Sequence, residues 1–144
     1  MSRVEIATSL FKKGYNCSQA LLVSYGIEFG LNRKTAMKIA SAFGGGMGRM
    51  GETCGAVTGA LMIIGLRYGK PRLDKNAKTK TYELTRKFVK KFKARNNSIV
   101  CRELIGMDIS SNRELSQSTE KIIKTKCPWY VQDAAEIIEE IIFV

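Results

Sequence analysis

Cys17, Cys54, Cys101 and Cys127 carry the most pointed chemistry in this 144-residue chain. They are separated by 37, 47 and 26 residues, and no two form a C-x-x-C pair. That spacing argues against a standard zinc knuckle and against a thioredoxin-type motif. Scattered buried thiols are ordinary in a protein core, because cysteine is among the most buried residue types. Position along the expected helices changes that weighting. Cys17 follows Asn16 and Cys54 follows Thr53, each reading as the first helical residue behind a cap. Cys101 falls in the first turn of a short helix, and Cys127, just before Pro128, reads as a cap itself. At helix N-termini, unpaired backbone N–H groups and the positive end of the dipole favour a thiolate over a thiol. Thiolates bind metals, attack disulfides and hold clusters. Four of them together would need a cation or a cluster, or would oxidise to two disulfides. Structural disulfides are disfavoured in the cytoplasm. Zinc on four sulfurs and an iron–sulfur cluster both stay open.

Histidine is absent. This excludes His-based metal sites, Ser-His-Asp and Cys-His catalytic pairs, and haem attachment through C-x-x-C-H. No catalytic residue is assigned. Gly46-Met47-Gly48-Arg49-Met50-Gly51 is a formal G-x-G-x-x-G match, but it follows an expected helix where the dinucleotide fingerprint needs a strand. Its backbone could cradle cluster sulfide, thiolate or a small oxyanion, or simply make a tight turn between packed helices.

The elements that must position these residues are helical. Ser2 and Glu5 read as a capping box for a first helix that stops at Gly14. Asn16 and Gln19 open a second, running towards Gly30. Asn32 opens a third, with Ala36, Ile39, Ala40 and Phe43 inward. A fourth, from Cys54 to about Leu66, is apolar nearly all round and should be the buried central helix. Within it, Gly55 and Gly59 should let another backbone come close. Asp74 opens a long helix to about Arg95, with Leu84, Phe88 and Phe92 inside. Asn97 or Ser98 should cap the short helix through Cys101. Asp108 to Lys126 is polar and ambiguous, with a turn or two of helix around Ile122-Ile123. The last helix should begin at Pro128 and bury Val131, Ala134, Ala135, Ile138 and Ile142. The expected fold is all-α, one compact domain over 1–144, with about six or seven helices and a glycine-rich loop before the central buried helix.

Residues 67–102 hold thirteen Lys/Arg against Asp74 and Glu83, so this segment matches the whole chain's formal charge of +11. A solvated helix face is the plainer reading, and a docking surface for an acidic redox partner the sharper one. No nucleic-acid motif occurs, and few aromatics interleave with the charges. The longest apolar run, Gly55 to Leu66, is short of the roughly 20 residues a membrane-spanning helix needs. No secretory signal is evident in Met1–Lys13, so a cytoplasmic location is expected.

Together, Gly14–Ala20 (GYNCSQA), Phe43–Leu66 (FGGGMGRMGETCGAVTGALMIIGL), Cys101 followed by Glu103-Leu104, and Cys127 before the last helix resemble the redox-active C_GCAxxG_C_C family. The likeness spans essentially the whole chain. Its central motif reads Cys54-Gly55-Ala56-Val57-Thr58-Gly59, with Cys and Gly transposed relative to the family label. The family is similar in turn to the non-haem portion of split-Soret cytochromes, which are dimeric and associated with an iron–sulfur centre. The resemblance implies a redox role, a site at Cys17, Cys54, Cys101 and Cys127, an iron–sulfur cluster of [2Fe-2S] or [4Fe-4S] type without haem, and a homodimer. A thiol–disulfide oxidoreductase and a zinc-binding structural module use the same four residues and remain the alternatives.

Overall fold

The computed structural model describes residues 1–110 and 114–143. Part of the ambiguous Asp108–Lys126 segment, residues 111–113, lies outside them. Seven α-helices are present among the described residues: α1 Arg3–Lys12, α2 Cys17–Gly26, α3 Arg33–Ile39, α4 Gly55–Tyr68, α5 Lys75–Asn96, α6 Cys101–Ile105 and α7 Gln117–Ile142. Single 3-10 turns follow α2 and α3, at Ile27–Phe29 and Ala40–Phe43. The one extended pairing described is an isolated antiparallel bridge between Thr53 and Val100. No described helix is long and apolar enough to cross a membrane.

Local chemistry places most helix starts. The Ser2 side chain accepts from Glu5 N, that of Asn32 from Thr35 N and that of Asp74 from Ala77 N. Each such cap is worth roughly 0.5–2 kcal/mol. At α2 the box is reciprocal: Asn16 Oδ1 accepts from Gln19 N at 2.8 Å, and Gln19 Oε1 accepts from Asn16 N at 3.0 Å. The same two side chains donate onward to the carbonyls of Ala40, Ser41 and Met37. The start of α2 is thereby fastened to α3 and the turn after it.

Burial then orders the layers. α4 lies at the centre and touches α2, α5 and α7, while α1 packs on α2 and α7. Val57, Ile63 and Ile64 of α4 have no exposed surface. Burying each such side chain contributes roughly 1.5–3 kcal/mol. The tightest pairing is α2 with α4, and glycine makes it so. A Cβ on Gly59 would stand 2.9 Å from Ser18 O and 2.8 Å from Leu21 Cβ; one on Gly55 would stand 3.0 Å from Ser18 N. α5 buries the expected Leu84, Phe88 and Phe92, and α7 buries Val131, Ala134, Ala135, Ile138 and Ile142. Tyr25 donates from α2 to Glu139 on α7 at 2.9 Å.

Four expectations need correction. Thr53 does not cap α4; it pairs in the bridge, and Cys54 is the N-cap residue. Asn97 does not open α6 but closes α5 in the left-handed conformation (φ +68°), and Val100 precedes α6. Ile39 is 47% exposed, because α3 is only seven residues long and turns just its Ala36–Ala40 edge inward. The last helix starts at Gln117 behind the Ser116 cap, ten residues before Cys127, and runs through Pro128.

Gly59→Leu should overpack the α2–α4 contact and lower stability by about 1–3 kcal/mol or more. Urea unfolding followed by circular dichroism checks this; an unchanged midpoint would contradict the close approach.

Candidate functional site

Cys17 is the first residue of α2, directly behind the Asn16–Gln19 box. Cys54 and Cys101 are placed by the bridge at Thr53 and Val100. Cys54 N donates to Ile99 O at 2.8 Å, and Cys101 N donates to Glu52 O at 2.6 Å. Arg102 braces the same bridge by donating to Gly51 O and to the Glu52 carboxylate. Cys127 comes from the body of α7, which is held against α6 by Tyr130 Oη donating to Leu104 O at 2.7 Å. All four cysteines are free and buried. They line one cavity of about 80 Å³ together with Phe11, Gly45, Gly46 and Tyr130.

Three cysteines therefore stand at helix N-termini, and Cys127 does not. The reason lies in the preceding segment. Ser116 supplies the cap by accepting from Thr119 N, so Gln117 to Lys126 joins the helix that Pro128 was expected to start. Proline inside a helix removes one N–H and crowds the preceding turn. Pro128 is only partly buried, on the α7 edge where Lys124 and Thr125 border solvent.

The stretch before Cys54 turns in an unusual sense. Gly45, Gly46, Met47, Gly48 and Arg49 have φ between +60° and +68°, one continuous left-handed turn. Left-handed backbone costs an L-residue roughly 1–2 kcal/mol, which glycine escapes. The turn is held by Gly48 N donating to Ala42 O, Gly51 N to Gly45 O and Glu52 N to Gly46 O. No hydrogen bond among the described residues uses the N–H of Gly45 or Gly46. Both residues line the cavity, so two backbone donors with no hydrogen bond among the described residues belong to its wall. Gly46 is also sterically required: a Cβ there would lie 2.5 Å from Cys101 Cβ and 2.7 Å from Glu52 N.

Sequence reasoning missed Phe11 and Tyr130 as walls of the site. Tyr130 had a signal, since it lies three residues after Cys127 and so on the same face of α7. Phe11 had none beyond its apolar stripe.

The thiols act on one another electrostatically. Burial pushes Cys54 up to about 12, against the pull of the Ala56 and Val57 N–H groups near its sulfur. No full capping hydrogen bond closes there. Burial likewise pushes Cys101 up to about 11. Cys17 and Cys127 act on each other most strongly: their interaction, with burial, raises Cys17, and the same interaction lowers Cys127. No Lys or Arg lines the cavity. Among the described residues, no three His, Cys, Asp or Glu side chains are arranged to hold a metal ion. The four cysteines thus line one cavity without forming a metal-ion ligand set among the described residues.

Residues 15–141, which contain all four cysteines, match the family described as "Putative redox-active protein (C_GCAxxG_C_C)". The chain belongs to this family. Membership supports a general redox role. No curated protein and no solved structure gives a significant match.

Two outcomes are expected. Gly48→Ala, with open space around it, should cost only the left-handed penalty of about 1–2 kcal/mol. Gly46→Ala should cost clearly more and speed alkylation of Cys101, as read by mass spectrometry. Equal losses would remove the packing argument. The second outcome concerns pH. Folded Cys54 and Cys101 have raised values, so their neutral forms favour the fold, fully so below the unfolded thiol range near 8.5. The metal-free protein should lose stability as pH climbs from there through about 11 and about 12. Cys54→Ala should flatten that loss in urea titrations at pH 8 and pH 10.5.

Proposed function

We propose that Cys17, Cys54, Cys101 and Cys127 hold an iron–sulfur cluster and that the protein carries electrons between protein partners. The observation that carries this reading is that four thiols, three on helices α2, α6 and α7 and one capping α4, line one cavity. The donor set fits: both [2Fe-2S] and [4Fe-4S] clusters take four thiolates, and the chain offers no histidine. The free Gly45 and Gly46 donors suit cluster or thiolate sulfur, whose hydrogen bonds tune potential. A single zinc ion, about 2.3 Å from each sulfur, would need the cysteines to close in on one point. A cluster of several atoms fills a space between them. When bound, the cluster would accept and release one electron. The chain's own part is to fix the four sulfurs on helix backbones and to wall them from water with Phe11, Leu104 and Tyr130.

An acidic protein partner would meet the outer face of α5. Lys91 and Arg95 are engaged by Glu140, Asp133 and Glu136 of α7, but Arg86, Lys90 and Lys93 are exposed and make no ion pair among the described residues. Phe92 on the inner side of α5 meets the Tyr130 ring, centroids 6.4 Å apart. Tyr130 lines the cavity. Two side chains thus connect that face with the sulfurs.

The mutual influence of the Cys17 and Cys127 thiols on one cavity wall favours a second reading, thiol–disulfide exchange with a disulfide-bearing partner. The two thiols would lose two electrons and two protons to form one S–S bond, and the partner disulfide would be reduced to two thiols.

Anaerobic purification or reconstitution, with iron, sulfide and zinc analysis and absorption and spin-resonance spectra, tests the proposal. A brown protein with iron and sulfide is expected, and Cys→Ser at each of the four positions should lower cluster content. A colourless protein that loses two free thiols on oxidation would replace the cluster with the thiol–disulfide reading. Zinc without iron would make the site structural.

A further inference from the structure

One surface feature shares walls with the cysteine cavity. A groove of about 430 Å³ lies between the end of α1 and the middle of α7. Phe11, Asn16 and Ile123 line both groove and cavity. The remaining walls of the groove include Lys12, Tyr15, Lys124 and Pro128. Past Lys12, Lys124 and Pro128 a second groove of about 310 Å³ continues to Trp129. Tyr15 is 39% exposed and Trp129 63% exposed.

The chemistry of this surface is one-sided. No acidic side chain lines either groove. Lys12 and Lys124 are exposed and make no ion pair among the described residues, and Glu120, one turn before Lys124, does not reach it. Two unpaired ammonium groups thus flank a trough walled by Phe11, Tyr15, Ile123 and Pro128. A concave space of a few hundred Å³ is in the range of small-molecule sites. Aromatic walls suit a flat conjugated body, and lysine suits a carboxylate, sulfonate or phosphate.

We propose that the α1–α7 groove binds a small organic anion with a conjugated ring system and brings it against the wall it shares with the cysteine cavity. The inference rests on the reading of the four cysteines as the reactive centre, but it needs no bound cluster. The partner-facing side of α5 would then serve proteins, and this groove small molecules.

Thiol reactivity of the reduced, metal-free full-length protein tests it. Two aromatic disulfides serve as probes: 5,5′-dithiobis(2-nitrobenzoate), a dianion, and neutral 4,4′-dithiodipyridine. In each, a cysteine thiolate displaces one arylthiolate and forms a mixed disulfide. Lys12→Glu combined with Lys124→Glu should slow the dianion by about tenfold at low salt and change the neutral probe by less than about twofold. Salt at about 0.5 M should erase most of the difference. Lys70→Glu with Lys75→Glu, which alters net charge equally away from both grooves, should leave both rates near those of the unaltered protein. The chain's single tryptophan, Trp129, gives a second readout. Its fluorescence should be quenched saturably by the anion 8-anilinonaphthalene-1-sulfonate, and less so in the Lys12→Glu/Lys124→Glu protein. Equal slowing of the dianion by both double variants, or none by the groove variant, would overturn the proposal. Failure to find iron and sulfide would remove the cluster and leave this result standing.

Discussion

Gly55 and Gly59 bring the α4 backbone into contact with Ser18 of α2, and the site depends on that approach. Cys17 immediately precedes Ser18, and Cys54 immediately precedes Gly55. Fixing Ser18 against Gly55 therefore fixes the two cysteines across from each other. A Cβ on Gly55 would meet Cys17 Cβ at 3.1 Å, so a side chain there would push the two backbones apart by a few tenths of an ångström. Glycine within a helix is destabilising by roughly 0.5–1 kcal/mol relative to alanine. Full burial of Val57, Ile63 and Ile64 on the same helix more than offsets two such losses. The contact is continued by Thr58 Oγ1 donating to the fully buried Ser18 hydroxyl at 3.3 Å, which satisfies a polar group that water cannot reach.

Backbone, more than side chains, builds the rest of the site. The bridge between Thr53 and Val100 sets Cys54 and Cys101 one residue beyond each of its partners. The left-handed turn at Gly45–Arg49 then brings Gly46 against Cys101. Met47 and Arg49 are held in a conformation that L-residues avoid, so the hydrogen bonds at either end of the turn must outweigh the strain. Strain of this kind tends to sit beside functional centres, and here it frees two N–H groups at the cavity wall.

The sequence made the fold legible wherever a helix start is written in side-chain chemistry. Ser2, Asn16, Asn32 and Asp74 cap the helices they were expected to cap, because each has a short oxygen-bearing side chain ahead of an apolar stripe. The glycines at 44–51 likewise announced backbone that other residues resist. Legibility failed where tertiary pairing competes with local signals. Thr53 has a cap's chemistry but is pulled into a bridge with a residue 47 positions away. Asn97 also has it, but Asn tolerates left-handed backbone and closes a helix equally well. Pro128 favours a first turn in isolation, yet the Ser116 cap and the packing of α7 on α1, α4 and α5 carry the helix past it. The grouping of the four cysteines was expected from helix-start positions. Their sharing of one cavity rests on three such positions and one mid-helix position, so the grouping was reached partly for the wrong reason.

Charge finally separates two states of this cavity. Its walls hold four thiols and no cationic side chain, while the chain's positive charge lies on exposed faces. Exposed lysines are screened by solvent and compensate a buried anion poorly. Helix N-termini and the Gly45–Gly46 donors supply only partial charges, enough to favour one thiolate but not four. The Cys17–Cys127 pair illustrates the limit, since their interaction lowers Cys127 only while it raises Cys17. The remaining protons can leave together only if a cation takes their place. Binding at such a site is therefore coupled to proton release and strengthens as pH rises. Ionising all four sulfurs in this cavity would therefore require a cation among them.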